Sequence, residues 1–224
     1  MAYDLIARVA ALAAINAVRG STIDLFTSLP QRTFDASVTT IASGGYSAAG
    51  TGAATYVTDS LANAALAATH PNLCKRSLDG RYWRLLPSAG EISVDQAGAL
   101  GDPTGTGLVN DQVAIQAAVN YAAALSIRTV VFPQRNYALW VPTRTTTYWN
   151  WGTDGVGIAI PATLPAGDIT LKGRGRFSRL GFYNKDGGSF QTNVQTIAAD
   201  GNPWRGHGIY MDSPATDPGK EYRN

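Results

Sequence analysis

The 224-residue chain has little with which to bind a metal or carry out acid–base chemistry: one cysteine, two histidines and two glutamates. Cys74, His70 and His207 cannot complete a tetrahedral zinc site, and a lone cysteine excludes an intrachain disulfide. Charge is also sparse, with 15% of residues Asp, Glu, Lys or Arg, against about 25% in an ordinary soluble domain. The 18 basic residues are scattered and leave a net charge of only +2, so no field is strong enough to draw in a polyanion. Nucleic acid is therefore not an expected partner. No apolar run is long enough to span a bilayer. Met1 to Val18 is apolar, but Asp4 stands where a signal peptide carries positive charge and Arg8 breaks the run, so neither a secretion signal nor membrane insertion is expected.

What the chain does have is glycine (24 residues), much alanine, and 45% hydrophobic residues, enough for one sizeable domain or two small ones. Residues 4–19 read as an Ala-rich helix stopped by Gly20. Its residues Leu5, Val9, Leu12 and Asn16 fall at alternating spacings of four and three, which leaves two readings open. The helix packs on its own domain, or it forms a short seam in which three copies meet and Asn16 fixes the register. Those four residues are the candidate oligomer or anchor interface.

Further along, Ser37–Ile41 and Ala53–Thr58 read as strands joined by a Gly-rich turn region over 43–52, a hairpin with a long loop. An Ala-rich stretch follows at 61–69, and Gly80 to Leu86 reads as another strand. Residues 33–89 thus form a small β-rich module, with Leu86–Gly90 as the linker. Beyond it lie a short strand at 91–94, a Gly-rich loop and a helix over about 111–125, capped by Asn110 or Asp111. Strands follow at 128–133, 137–141, 156–160, 168–172 and 207–211. Short strands after one helix suggest a capped β solenoid.

At this point the residues carry a resemblance. Val94-Asp95-Gln96-Ala97-Gly98-Ala99-Leu100-Gly101-Asp102, then Asn110-Asp111-Gln112-Val113-Ala114-Ile115-Gln116-Ala117-Ala118-Val119, then Thr129-Val130-Val131-Phe132-Pro133 and Tyr137-Ala138-Leu139, resemble the opening of the pectate-lyase-like single-stranded right-handed β-helices. Asp168 to Gly175 resembles a coil that follows in that family. Two departures are a loop lengthened by Pro103 to Gly107 and Asn110-Asp111-Gln112 in place of paired acids, which weakens cation binding there but leaves a helix cap. The segment Ile41 to Val57 with Gly80 to Leu85 is similar to the module ahead of the β-helix in bacteriophage tailspikes and capsule depolymerases, with Thr51 where that family has Asp.

The resemblance implies a mainly β fold: an N-terminal α-helix and docking segment (1–32), a β-rich anchor module (33–89), and from 90 to 224 the capping helix and first coils of a right-handed parallel β-helix. It also implies a homotrimer in a virion, as a tail or head spike, attached through its N-terminal part to a tail or capsid protein. A distal region would bind bacterial surface polysaccharide during host adsorption. The stretch from Gly206 to Met211 looks like the start of another coil, so the natural polypeptide is expected to continue past Asn224.

Catalysis is not expected of this chain. Glycosidic cleavage needs two carboxyl groups about 5–9.5 Å apart, one with a raised pKa. Of 14 Asp and two Glu, Asp95, Asp102 and Asp111 sit at a loop and helix start where turn and capping duties account for them. The other readings are a depolymerase, with its catalytic residues here or in a C-terminal part, and a non-catalytic carbohydrate-binding module. Tyr148, Trp149 and Trp151 are the candidate contact for sugar or a neighbouring subunit. Lys172, Arg174, Arg176 and Arg179 form a basic strip that could meet acidic polysaccharide or another subunit. No cofactor or metal is expected.

Overall fold

The computed structural model describes residues 17–18, 22–103, 109–141, 156–160, 169–175, 178–184 and 207–211. They are mainly β, and their packing divides the chain into two compact units, residues 1–88 and 89–224.

In the first unit, β1 (Ala17–Val18) runs parallel to β3 (Thr33–Phe34), and β2 (Thr22–Ile23) runs parallel to β4 (Thr40–Gly45). Between β2 and β3 the chain makes a 3-10 helix, Phe26–Gln31, with Pro30 inside it and Phe26 and Leu29 buried. β4 then pairs antiparallel with β5 (Ala49–Val57). A short helix α1 (Ala64–Thr69) leads to β6 (Cys74–Arg76) and β7 (Tyr82–Leu85). The resulting five-stranded sheet has the order β2-β4-β5-β7-β6.

Alternation explains why one face of this sheet becomes core: β4 buries every second residue, and so does β7, whose Trp83 and Leu85 are inside. Phe26 stacks on Tyr56 with ring centroids 3.9 Å apart, and Ile41, Leu73, Trp83 and Leu85 are fully buried around them. Asn63 caps α1 by accepting from the Leu66 amide at 2.9 Å.

Two expectations are corrected in this unit. Ala17 and Val18 were included in the helix over 4–19 but form β1, because pairing with β3 outweighs an alanine's helical preference. The rest of that helix, with Leu5, Val9, Leu12 and Asn16, lies outside the described residues. The hairpin has a short loop, not a long one. β4 and β5 run into the Gly-rich region as far as Gly45 opposite Ala49. Gly45 is required at the turn, since a Cβ there would overlap the Ala48 carbonyl oxygen.

The second unit begins with β8 (Glu91–Ser93) and a 3-10 turn over Val94–Ala97, in which the Gln96 side chain accepts from the Ser93 amide at 3.0 Å. Gly98 ends the turn at φ 104. Helix α2 (Gln112–Ala124) buries Ala114, Ile115, Ala118, Val119, Tyr121 and Ala122. At its end Ser126 takes φ 57, its amide donates to the Ala123 carbonyl, and the Ile127 amide donates to that of Ala122. This is a Schellman cap with serine in the left-handed position.

The strands beyond α2 are β9 (Thr129–Phe132), β10 (Asn136–Val141), β11 (Val156–Ile160), β12 (Thr170–Gly173), β13 (Arg179–Asn184) and β14 (His207–Met211). Among the described residues, every strand pairing in this unit is parallel. β9 lies between β8 and β12, with Thr129 opposite both Glu91 and Thr170. β10 pairs with β13, Asn136 opposite Arg179, and β11 pairs with β14, Val156 opposite His207. Ile92, Val130, Leu139 and Ile158 are fully buried beside the apolar face of α2. β13 was not expected from the sequence, where Arg179 was read as part of a basic strip.

Candidate functional site

Tyr148, Trp149 and Trp151 lie outside the described residues, as do the four helix positions. None of the residues singled out for an interface or a sugar contact can therefore be placed. The polar group that the fold does assemble surrounds the start of α2, where three aspartates from separate segments come together.

Asp111, 2% exposed, stands at the N-cap position of α2, but its side chain makes no capping hydrogen bond. Its Oδ1 accepts from the amides of Leu100 at 2.8 Å and Gly101 at 3.2 Å, and its Oδ2 accepts from the Ala138 amide at 3.3 Å. One carboxylate thus ties the Gly-rich loop, the helix start and β10 together. Gly101 is at φ 77, a conformation that L side chains avoid, which turns its amide toward Asp111. The capping contact falls to Asn110, whose Oδ1 accepts from the Gln112 amide at 3.0 Å and the Trp140 amide at 3.2 Å. Of the two expected candidates, Asn110 and Asp111, it is Asn110 whose side chain makes the capping contact.

Asp95 is also buried. It accepts from the Tyr137 hydroxyl at 2.9 Å and pairs with Arg135, whose guanidinium lies 3.6 Å away. Arg135 also donates to the Leu100 carbonyl at 3.0 Å. Asp102 is 1% exposed, and its amide donates to the Asn136 carbonyl at 2.6 Å. Burial raises the pKa of Asp95, with Tyr137 and Arg135 opposing the shift and Asp111 adding to it. Burial also raises Asp111, against the pull of its three backbone donors. The Tyr137 hydroxyl is driven upward by burial and by the adjoining Asp95 charge.

A raised carboxyl pKa is one mark of a general acid. Here, however, the Asp111 oxygens are taken up by backbone amides, and Asp95 by a tyrosine and an arginine. These groups hold backbone segments in place, which is structural work. Among the described residues no group of three or more His, Cys, Asp or Glu is placed to hold a metal ion. Cys74 is buried, and burial pushes its thiol up to about 11, so it is a poor nucleophile.

Two residues of the expected basic strip, Lys172 and Arg174, lie at β12 of the sheet β8-β9-β12 and pair within this chain. Lys172 Nζ lies 2.6 Å from Glu91 Oε1, and an Arg174 terminal nitrogen lies 2.9 Å from Glu91 Oε2. Arg179 is exposed, and Arg176 lies outside the described residues. Two of the strip's cations are therefore turned onto a carboxylate two strands away. Sequence reading had left Glu91 without a role, and register could have given one, since Glu91 and Thr170 both lie opposite Thr129.

No family model and no curated protein matches the chain. Among solved structures it is similar to the tailspike protein of Acinetobacter phage vB_ApiP_P1, at 17% identity and a TM-score of 0.37, over 72% of this chain and 31% of that one. It is similar to the enzymatically active domain of bacteriophage CBA120 tailspike protein 4, at 13% identity and a TM-score of 0.40, over 74% of this chain and 20% of that one. A third likeness is to Pantoea stewartii WceF, described as a glycan biofilm modifying enzyme with a bacteriophage tailspike-like parallel β-helix fold. It stands at 14% identity and a TM-score of 0.46, over 89% of this chain and 28% of that one. The chain spans less than a third of the length of each of these structures.

Proposed function

We propose that this chain is the N-terminal, particle-anchoring and trimerising part of a tailspike-like receptor-binding protein, a structural virion component used in attachment to a host surface. In this reading residues 1–32 dock, residues 33–89 form the anchor module, and residues 90–224 begin a right-handed parallel β-helix with α2 as its cap. The observation that carries it is the order of the parallel pairs: β9 with β12, β10 with β13 and β11 with β14. Three strands in succession, each paired with its counterpart in the next succession of three, is the pairing pattern of stacked coils. Helix α2 lies between β8 and the first of these strands in sequence and buries its apolar face in the same unit. A helix there covers an end whose unpaired backbone groups would otherwise recruit other strands.

The test is the mass of the 224-residue chain by sedimentation equilibrium, followed by a search for the chain on particles by labelled microscopy. A trimer that localises to the base of a spike is the expected result. A monomer that keeps its fold over a wide concentration range would count against the trimerising role. In the same reading, surface polysaccharide is engaged by a more distal region, and incubation of this chain with capsule releases no reducing ends.

A further inference from the structure

Strand β10 has two edges, and β13 takes one of them. In a parallel ladder alternate residues bond to the same neighbour. The Arg179 amide donates to the Arg135 carbonyl at 3.0 Å, so the odd-numbered residues of β10 bond to β13. The even-numbered ones, Asn136, Ala138 and Trp140, turn their backbone groups to the other edge, where among the described residues no strand lies.

That edge is filled all the same. The Asp102 amide donates to the Asn136 carbonyl at 2.6 Å, and the Asp111 amide to the Ala138 carbonyl at 2.8 Å. The Ala138 amide donates to Asp111 Oδ2 at 3.3 Å, and the Trp140 amide to Asn110 Oδ1 at 3.2 Å. Donors and acceptors thus alternate along the edge as a neighbouring strand would supply them, but both acceptors are side-chain oxygens. The strand they cover is one that would pair readily. Asn136–Val141 holds no charge, glycine or proline and is rich in aromatic and apolar residues, the makeup of segments that join edge to edge when exposed. Lysine or proline, which commonly protects a free edge, is missing from it.

We propose that Asp102, Asn110 and Asp111 together stand in for a strand and keep β10 from pairing with β10 of a second copy of this chain. An antiparallel second copy would put Ala138 opposite Ala138 and Asn136 opposite Trp140, offering a donor or acceptor to each of the four groups that the three residues now serve. The exchange is one bond for one, so weakening the side-chain half of the present set tips it toward pairing. This closure is needed whether or not the chain attaches to a particle.

The test uses the full 224-residue chain, a fluorescent peptide of residues 135–141 as the probe strand, and sedimentation velocity. Asn110→Ala frees the Trp140 amide. Asp111→Asn leaves a single acceptor oxygen for the amides of Leu100, Gly101 and Ala138. The double variant should bind the peptide about tenfold more tightly than the unaltered chain, and should form a species of double the unaltered chain's mass. Asn110→Ala alone should show a smaller gain in peptide binding, which keeps the test open if the double variant fails to fold. Tyr137→Phe removes a hydroxyl that bonds Asp95 and leaves these edge contacts in place, so it should bind no more peptide than the unaltered chain. The proposal is overturned if the unaltered chain or Tyr137→Phe binds the peptide as tightly as the edge variants do. It is equally overturned if folded Asn110→Ala, or a folded double variant, gains neither affinity nor mass.

Discussion

The Tyr137 hydroxyl donates to the Asp95 carboxylate at 2.9 Å across 42 residues of chain, with both groups buried. It is a neutral donor to a charge that burial already disfavours. Tyr137→Phe should therefore destabilise the second unit by about 1.5–3 kcal/mol at neutral pH, the range for a hydrogen bond to a charged group. The sign of its pH dependence follows from the raised Asp95 pKa. A carboxyl whose pKa is higher in the folded than in the unfolded state favours folding as pH falls from neutral toward about 4. Losing the tyrosine donor raises it further, so the Tyr137→Phe deficit should shrink with acidification. Melting curves between neutral and mildly acid pH, with Asp95→Asn as a control lacking the titration, check this. An Asp95→Asn chain with the unaltered chain's pH response would refute it.

Asp111 and Asn110 are neighbours with different duties, and substitution separates them. Asp111→Ala strands three backbone amides that its carboxylate now satisfies, those of Leu100, Gly101 and Ala138. At about 1–3 kcal/mol for each unsatisfied buried group, partly relieved by water, a loss of about 3–5 kcal/mol is expected. Asn110→Ala removes an ordinary cap and should cost about 1 kcal/mol. Denaturant unfolding of both variants decides the point. Equal losses would show that the three amide contacts of the Asp111 carboxylate are worth no more than a single cap.

Helix α2 was legible in the sequence because its signals are local: an Asn before it and apolar residues at helical spacing within it. The other duties of Asp111 were not, because its acceptor oxygens serve amides 11 residues before it and 27 after it. No window of sequence contains both partners. Arg81 was hidden for the same reason, reaching carbonyls more than 40 residues away. The stretch Ser43 to Gly52 was misread in the opposite direction. Its composition is that of a turn, yet most of it is strand, because pairing between β4 and β5 supplies what the side chains do not. β13 carries a glycine, Gly181, and follows a run of arginines, so only its parallel partner β10 marks it as a strand.

The Schellman cap after α2 offers a stabilising change. Ser126 sits at φ 57, a conformation that costs an L residue roughly 1 kcal/mol or more and costs glycine little. Ser126→Gly should raise the stability of the second unit by about 0.5–1 kcal/mol, part of the relief being offset by a more flexible unfolded chain. Ser126→Val should do the reverse, since a β-branched residue tolerates that region worst. Thermal melts of the pair test the assignment, and a glycine variant less stable than the serine parent would contradict it.

Glu91 is held by Lys172 and Arg174 across the width of β9, and the Lys172 hydrogen bond leads the interactions that hold its carboxyl below the usual glutamate range. For a depressed carboxyl the contribution to stability is fully present above the unfolded pKa, about 4.3, and is lost as pH falls through the folded value. The cations are more than half exposed, so salt should weaken the arrangement as well. Glu91→Gln keeps the side chain's shape and removes its charge. The unaltered chain should therefore lose more melting temperature than Glu91→Gln between about 0.05 M and 1 M salt at pH 7. It should also lose more on acidification below about pH 4.3. Parallel salt and acid responses in the two chains would mean that the pairing of β8 with β9 and β12 is set by backbone and buried side chains alone.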